Sequence, residues 1–595
     1  MSAEKDAKIQ TWSSLPLPAR DAVGFGPNLV AGVSIHTRRS GSTRPRCGIT
    51  LRVSSPPSFT KRPGLLDKQR SIAGPGFNRW LVPPAALCLH LCIGMAYGFS
   101  VFWLPLTRAV GITAPVTCPA EMGFLARLTS TTCDWDKPLL GWIYTLFFVF
   151  LGSSAAAFGP WLERAGPRRA GVVATVCWCG GLSIAAAGVA LHQLWIVWLG
   201  AGVIGGIGLG IGYISPVSTL IRWFPDRRGL ATGMAIMGFG GGAMIGAPLA
   251  DLLMRHFAGP RSVGVWEALL ALAAIYACFM LLGAFAYRVP SAGWSPTAAG
   301  TSRQAGAAVA VSQAHSFTAA EAIRTRQFWL LWLVLCLNVS AGIGVIGMAS
   351  PMLQEIFGGR LVGRDVAFER LDARDAVRVA AVAAGFTGLL SLFSILGRFF
   401  WSALSDRIGR RALYTIFFLA GLVLYTAVPG IGRAGNVAVF CACFCVILSM
   451  YGGGFAAIPA YLADVFGTGS IGAIHGRLLT AWSVAGILGP VLVNYVNQWQ
   501  LSAGVPPARA YDRTMFMLAG LLAAGLLANL AIRSPQAARN QTKTASDIAA
   551  RSIGSATTGE TATNWPIVIA FWLLVAVPLG WGTWQTLRQA SALFW

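Results

Sequence analysis

The chain has 595 residues, of which 55% are hydrophobic and only 11% charged, and its mean hydropathy is +0.61. A soluble globular domain needs a charged surface that this composition cannot supply. Its net charge of +24 would suggest nucleic acid in a soluble protein, but the excess is arginine gathered in loops between apolar runs, where it reads as membrane topology. There is no GxxxxGK[ST] phosphate loop and only six lysines are present, which argues against an ATP-driven pump.

In chain order, residues 1–79 are rich in Ser, Pro, Arg and Gly, lack periodicity and lack a signal-peptide core, so a disordered basic extension is expected there. Apolar runs long enough for a bilayer, about 20 residues each, begin near Trp80, Pro138, Ala170, Leu194, Leu230 and Val265. Residues 290–326 are small and polar and read as a flexible linker. Six more runs begin near Gln327, Val379, Ala412, Asn436, Ile471 and Met515. A polar tether over 533–564 leads to a thirteenth run, Trp565 to Leu587, with no charged residue. The expected domains are therefore six-helix bundles at 80–289 and 327–532 and an extra transmembrane helix at 565–587.

Two loops look like copies of one another. GPWLERAGPRR (Gly159 to Arg169) and SALSDRIGRR (Ser402 to Arg411) each follow an apolar run and offer an acid, an Arg, a Gly and a basic pair. Their acids, Glu163 and Asp406, lie 243 residues apart, and Asp226 and Asp464 keep nearly the same offset at 238. A duplicated six-helix unit produces this spacing, so the fold class is an all-α membrane protein of two pseudo-symmetric bundles. Gly159, Glu163, Arg164, Gly166, Arg168 and Arg169 in the first copy, and Asp406, Arg407, Gly409, Arg410 and Arg411 in the second, are read as a conformational latch, joined by Asp226, Arg227 and Asp464. An acid at a helix end can bond the amides or arginines of a neighbouring helix, and such contacts must break when two halves rock. The competing reading is that these arginines only fix topology. By the positive-inside rule they place these loops and the N-terminus in the cytoplasm and, after thirteen crossings, the C-terminus outside.

Nine of the twelve cysteines sit inside apolar runs and no metal site is expected; Cys118 and Cys133 share the first outer loop and could pair. The GxGxG spacing around Gly206 lies inside an apolar run with no preceding strand, so it reads as close helix packing, not a dinucleotide loop. Arg398 lies about 19 residues into the run that begins near Val379. A guanidinium there is costly unless it faces a cavity or partner, and its planar fork matches a carboxylate. Snorkelling to the membrane surface is the alternative. His90, near the middle of the first run, offers either a proton site or a helix-to-helix hydrogen bond.

RWFPDRRGLATG (Arg222 to Gly233), LGRFFWSALSDRIGRR (Leu396 to Arg411), YGGGFAAIPAYLADVFGT (Tyr451 to Thr468) and HGRLLTAWSVAGILGP (His475 to Pro490) resemble the major facilitator superfamily and, within it, the oxalate/formate antiporter family. The resemblance covers residues 77 to 532, departs at Ser402, where the loop motif has Gly, and extends to the extra C-terminal helix of some members. It implies the major facilitator fold, a substrate carboxylate on Arg398, and a pocket lined by Tyr97, Tyr213, Phe239, Tyr451 and Phe455. Where oxalate-transporting members place a lysine as second cation, this chain has Trp482, which disfavours a dianion. The expected function is secondary transport of a small organic anion, formate or oxalate in type or another monocarboxylate such as acetate or lactate. Exchange is expected, with a counter-anion or a proton as coupling partner, in a multi-pass monomer of the cell inner membrane without cofactor or nucleic acid. Proton-coupled monocarboxylate symport and a non-transporting sensor are the alternatives, and enzymatic chemistry is not indicated.

Overall fold

The structure is a computed structural model that describes residues 64–590 apart from 75, 113–114, 120, 292–293, 295–315 and 534–564. Most of the expected N-terminal extension, most of the linker and nearly all of the tether lie outside the described residues. Among the described residues thirteen helices are long and apolar enough to cross a membrane: α1 Arg79–Leu106, α2 Lys137–Ala165, α3 Pro167–Ala190, α4 Leu194–Trp223, α5 Arg228–Phe257, α6 Val265–Ala286, α7 Arg326–Leu361, α8 Arg374–Ile408, α9 Arg410–Ala434, α10 Val437–Phe466, α11 Ile471–Ser502, α12 Pro507–Ala531 and α13 Trp565–Arg588. Leu527, Val423, Val176 and Val577 are among the exposed apolar side chains of this multi-pass membrane protein, as expected where helices face lipid rather than water.

The duplicated loops fold alike because each contains a glycine that the turn requires. Gly166 (φ 86°, ψ 163°) ends α2 and Gly409 (φ 87°, ψ 150°) ends α8, in a backbone region essentially closed to side chains with a Cβ. Each lets the chain reverse within one residue, so that α3 and α9 start at once on the same face of the membrane.

The halves meet along two helix pairs, α5 with α8 and α2 with α11, and small residues make both contacts close. A Cβ on Gly240 would strike the Arg398 guanidinium, and one on Gly233 would strike Ser402 and come within 2.8 Å of the Arg398 carbonyl. Ser402 is fully buried, and its hydroxyl turns back to the Arg398 carbonyl. The facing glycine of α5 thus leaves room for a serine where the family motif has glycine. On the other pair, Ser483 Oγ donates to the Phe148 carbonyl at 2.6 Å.

Residues 64–79, expected to belong to a disordered extension, instead fold onto the first half. Ala73 and Val289 donate to the Val289 and Ser71 carbonyls at 2.8 and 2.7 Å, and Arg169 pairs with Asp67 at 2.8 Å. The segment is held because its backbone completes that of the chain leaving α6, a pairing that local composition does not reveal. The described end of the linker forms a short helix, Ala319–Ile323, closed by a capping box between Thr318 and Glu321. The Thr318 amide, followed by its hydroxyl, holds the Glu321 carboxyl below its usual range.

Cys118 and Cys133 are joined as a disulfide, with Cα atoms 5.0 Å apart. It closes the loop between α1 and α2. The α13 helix is the least buried of the thirteen spans and lies across the α5/α8 seam. Its Trp572 Nε1 donates to the Trp80 carbonyl at 3.0 Å, Leu579 packs on Gly241 of α5, and Thr586 packs on Gly388 of α8. The extra helix therefore touches both halves.

Candidate functional site

Arg398 sits on α8 two turns before Asp406, about 12 Å along the helix axis, and only 2% of it is exposed. Its Nη1 donates to the Ile236 carbonyl of α5 at 3.3 Å, and its guanidinium carbon lies 5.9 Å from the centre of the Tyr97 ring. Its Nε is buried with no hydrogen-bond partner, and among the described residues no carboxylate pairs with it. Burial excludes snorkelling. The side chain crosses from the second half into the wall of the first, which Gly240 keeps open.

The aromatic residues singled out in the sequence meet in one cluster around Trp482. The Trp482 ring lies 6.2 Å from Tyr97, 5.4 Å from Tyr213, 5.4 Å from Phe239 and 4.5 Å from Phe455. Tyr451 packs on Phe455 at 5.3 Å, and its hydroxyl lies 3.4 Å from that of Tyr97. Tyr97, Tyr213 and Phe239 come from the first half, and Arg398, Tyr451, Phe455 and Trp482 from the second, so the cluster is a seam between the two. A tightened 3₁₀ stretch, Gly94–Phe102, carries Tyr97 within α1, and such mid-helix stretches often mark hinges.

Sequence reasoning missed three members of this seam. Phe148 packs on Trp482 at 5.6 Å, but in the run around it several aromatics compete and periodicity does not choose. His475, within a quoted motif, lies 5.8 Å from Tyr213. Asn338 is a buried polar residue in an apolar run, the signal that exposed Arg398, and it abuts Gly454 beside Phe455. Asn338 Nδ2, Tyr213 Oη and Trp482 Nε1 are buried donors without partners. A fork of guanidinium donors, further unsatisfied donors and aromatic walls can bind a small carboxylate and exclude water from it. His90 bonds the carbonyls of Ala235, at 2.6 Å, and Tyr213, at 3.2 Å, and so ties α1 to α5 and α4.

At the basic end of the bundle the loop residues connect the halves by one repeated device. Asp406, ending α8, accepts from the Gly229 and Leu230 amides that open α5, at 2.8 and 2.9 Å. Glu163, ending α2, accepts from the Gly472 and Ala473 amides that open α11, at 3.0 and 3.3 Å. Donors and acceptors in the two sets are all related by 243 residues, the offset of the loop copies. Each carboxylate neutralises the positive end of a helix in the opposite half. Gly159 brings α2 against Ala473 of α11.

The remaining loop residues divide. Arg410 pairs with Asp406 and with Asp464, the latter at 3.3 Å, and Arg228, not selected from the sequence, reaches Asp464 from the other half at 3.0 Å. Asp226 pairs with Arg79 at 2.8 Å within its own half. Arg168 donates to the Leu65 and Phe285 carbonyls at 3.0 and 3.4 Å, Arg164 to Pro160 of its own helix at 3.4 Å, and Arg411 to Leu530. Arg227 and Arg407 are exposed. The cross-half contacts thus fall on Glu163, Asp406 and Asp464, and most of the selected arginines brace their own half.

Two six-helix halves that meet along this aromatic seam, with helix-end contacts joining them at one end, have the architecture of a multi-pass membrane transporter. Residues 86–490 match the model of the Major Facilitator Superfamily, and the chain belongs to that family. It is similar to the oxalate:formate antiporter of Oxalobacter formigenes, 26% identical over 419 residues, covering 69% of this chain and 83% of that protein. The apicoplast pyruvate carrier 1 of Toxoplasma gondii is 28% identical over 503 residues, covering 75% and 86%. An uncharacterized transporter, YhjX of Escherichia coli (strain K12), is 24% identical over 411 residues, covering 69% and 86%. Among solved structures the fucose:proton symporter of E. coli matches with a TM-score of 0.50 at 13% identity, covering 76% of this chain and 98% of that one, which concerns the fold alone.

Proposed function

We propose that this protein moves small monocarboxylates across the cell inner membrane by exchange, with the substrate carboxylate held on Arg398 and the paired loops on the cytoplasmic side. The observation that carries this reading is a buried guanidinium at the seam of the halves with no carboxylate partner among the described residues. An anion there completes a charge pair that the protein leaves incomplete. The similarity to an oxalate:formate antiporter and a pyruvate carrier supports an organic anion as cargo. A monoanion fits better than oxalate because Trp482 fills the centre of the cluster with a neutral ring. Exchange follows from the same charge. Reorienting an empty carrier carries an unpaired buried guanidinium through the closed state, which costs several kcal/mol that a bound anion removes.

Purified protein in liposomes preloaded with formate, lactate or oxalate tests this by uptake of the labelled anions. Preloading with a transported monocarboxylate is expected to raise initial uptake at least tenfold over empty liposomes, and Arg398→Ala to abolish it. Trp482→Lys is expected to shift preference toward oxalate. Equal uptake into empty and loaded liposomes would sink the exchange reading, and intact transport in Arg398→Ala would sink the site.

A further inference from the structure

The two closing corners at the basic end share one backbone device but not one charge inventory. At the α5/α8 corner two acids, Asp406 and Asp464, face two bases, Arg228 and Arg410. At the α2/α11 corner lies an open cleft of about 790 Å³, whose charged lining is Lys68, Glu163, Arg164, Arg222 and Arg477. Among the described residues one acid there faces four bases.

That acid is already engaged. Glu163 accepts two amides of α11, and Arg222 stands 3.9 Å from it. The acid that would correspond to Asp464 is Asp226, and it is drawn off to Arg79. Arg477 Nη1 is buried with no hydrogen-bond partner, while Lys68 and Arg164 donate only to backbone carbonyls. Clustered guanidinium groups in a concave, partly desolvated space attract and fork onto anions with several oxygens.

We propose that this cleft binds a compact polyanion of the phosphate or polycarboxylate class, which supplies the second acid that the corner lacks. Its ligands come from both halves: Lys68, Arg164 and Arg222 from the first, Arg477 from the second. A bound anion therefore bridges the halves while this end is closed and loses ligands when it opens. A ligand selective for one state shifts the equilibrium toward it, so the anion slows the transport cycle. The site lies apart from Arg398 and does not depend on which anion is transported.

The test uses the full chain in nanodiscs of zwitterionic phosphatidylcholine, titrated with sodium pyrophosphate against sodium chloride at matched ionic strength. A saturable rise in the unfolding midpoint and slower hydrogen exchange of residues 468–477 are expected. Arg477→Gln and Arg222→Gln should each weaken the apparent affinity at least tenfold, and Arg378→Gln, near the start of α8, should leave it unchanged. Ser470→Asp, which puts a carboxylate into the cleft, should blunt the response. A second arm replaces pyrophosphate with anionic phosphatidylglycerol in the disc. Arg477-dependent protection there alone keeps the site and assigns its phosphate to a lipid headgroup. A response that follows ionic strength only, or that survives both arginine substitutions, overturns the proposal.

Discussion

The α5/α8 and α2/α11 corners can be superposed residue for residue in their capping contacts, yet their arginines have gone to different places. In the first corner Arg410 and Arg228 converge on Asp464 and knit the loop ends of both halves. In the second, Arg168 is spent on the Leu65 and Phe285 carbonyls and Asp226 on Arg79, so the halves are joined by Glu163 and the α11 amides over an electropositive cleft. A capping contact needs only an acid at one helix end and free amides at the other, so duplication preserves it readily. A charge network needs every member in place, and it diverges when one residue finds a local partner.

The largest effect is expected from Asp406→Ala, which strands two helix-start amides and takes from Arg410 one of the two acids it pairs with. It should cost roughly 3 kcal/mol and reduce exchange more than tenfold, read by thermal unfolding and liposome uptake. Glu163→Ala removes the equivalent cap but leaves its amides beside an open cleft, so about 1 kcal/mol is expected. The same variant should tighten pyrophosphate binding, because it removes the only acid among the described residues of that cleft. If it proves as damaging as Asp406→Ala, the charge inventories do not distinguish the corners. The smallest effect belongs to Arg79→Ala. This half-exposed pair with Asp226 should be worth about 0.5 kcal/mol or less, and a larger loss in unfolding experiments would mean that the segment before α1 braces the whole basic end.

Much of the fold was legible in the sequence because its signals are local. Hydropathy gave the spans, among them Trp565 to Leu587 against an observed Trp565–Arg588, and the repeated acid, Gly and basic pair gave the two halves. The Gly in each copy is a backbone requirement, as its positive φ shows. Arg398 could be picked out because a charge in an apolar run has few tolerable surroundings. Asn338 carried the same kind of signal more weakly, since a neutral amide costs less to bury than a cation. Phe148 carried none. Residues 64–79 misled because their polar contacts, among them those to Glu163, Arg168, Arg169, Asp226 and Val289, lie on distant chain.

By itself the sequence determined the number of spans, their duplication and the presence of one costly cation in the membrane, since all three follow from hydropathy and spacing along the chain. Only the tertiary structure decided which arginines cross between the halves, that Trp482 is the hub of the aromatic seam, and that one corner is electropositive. The deciding contacts join residues 177 and 309 positions apart. At such separations a partner is chosen by how helices pack, and packing is set by the shape of every side chain between them.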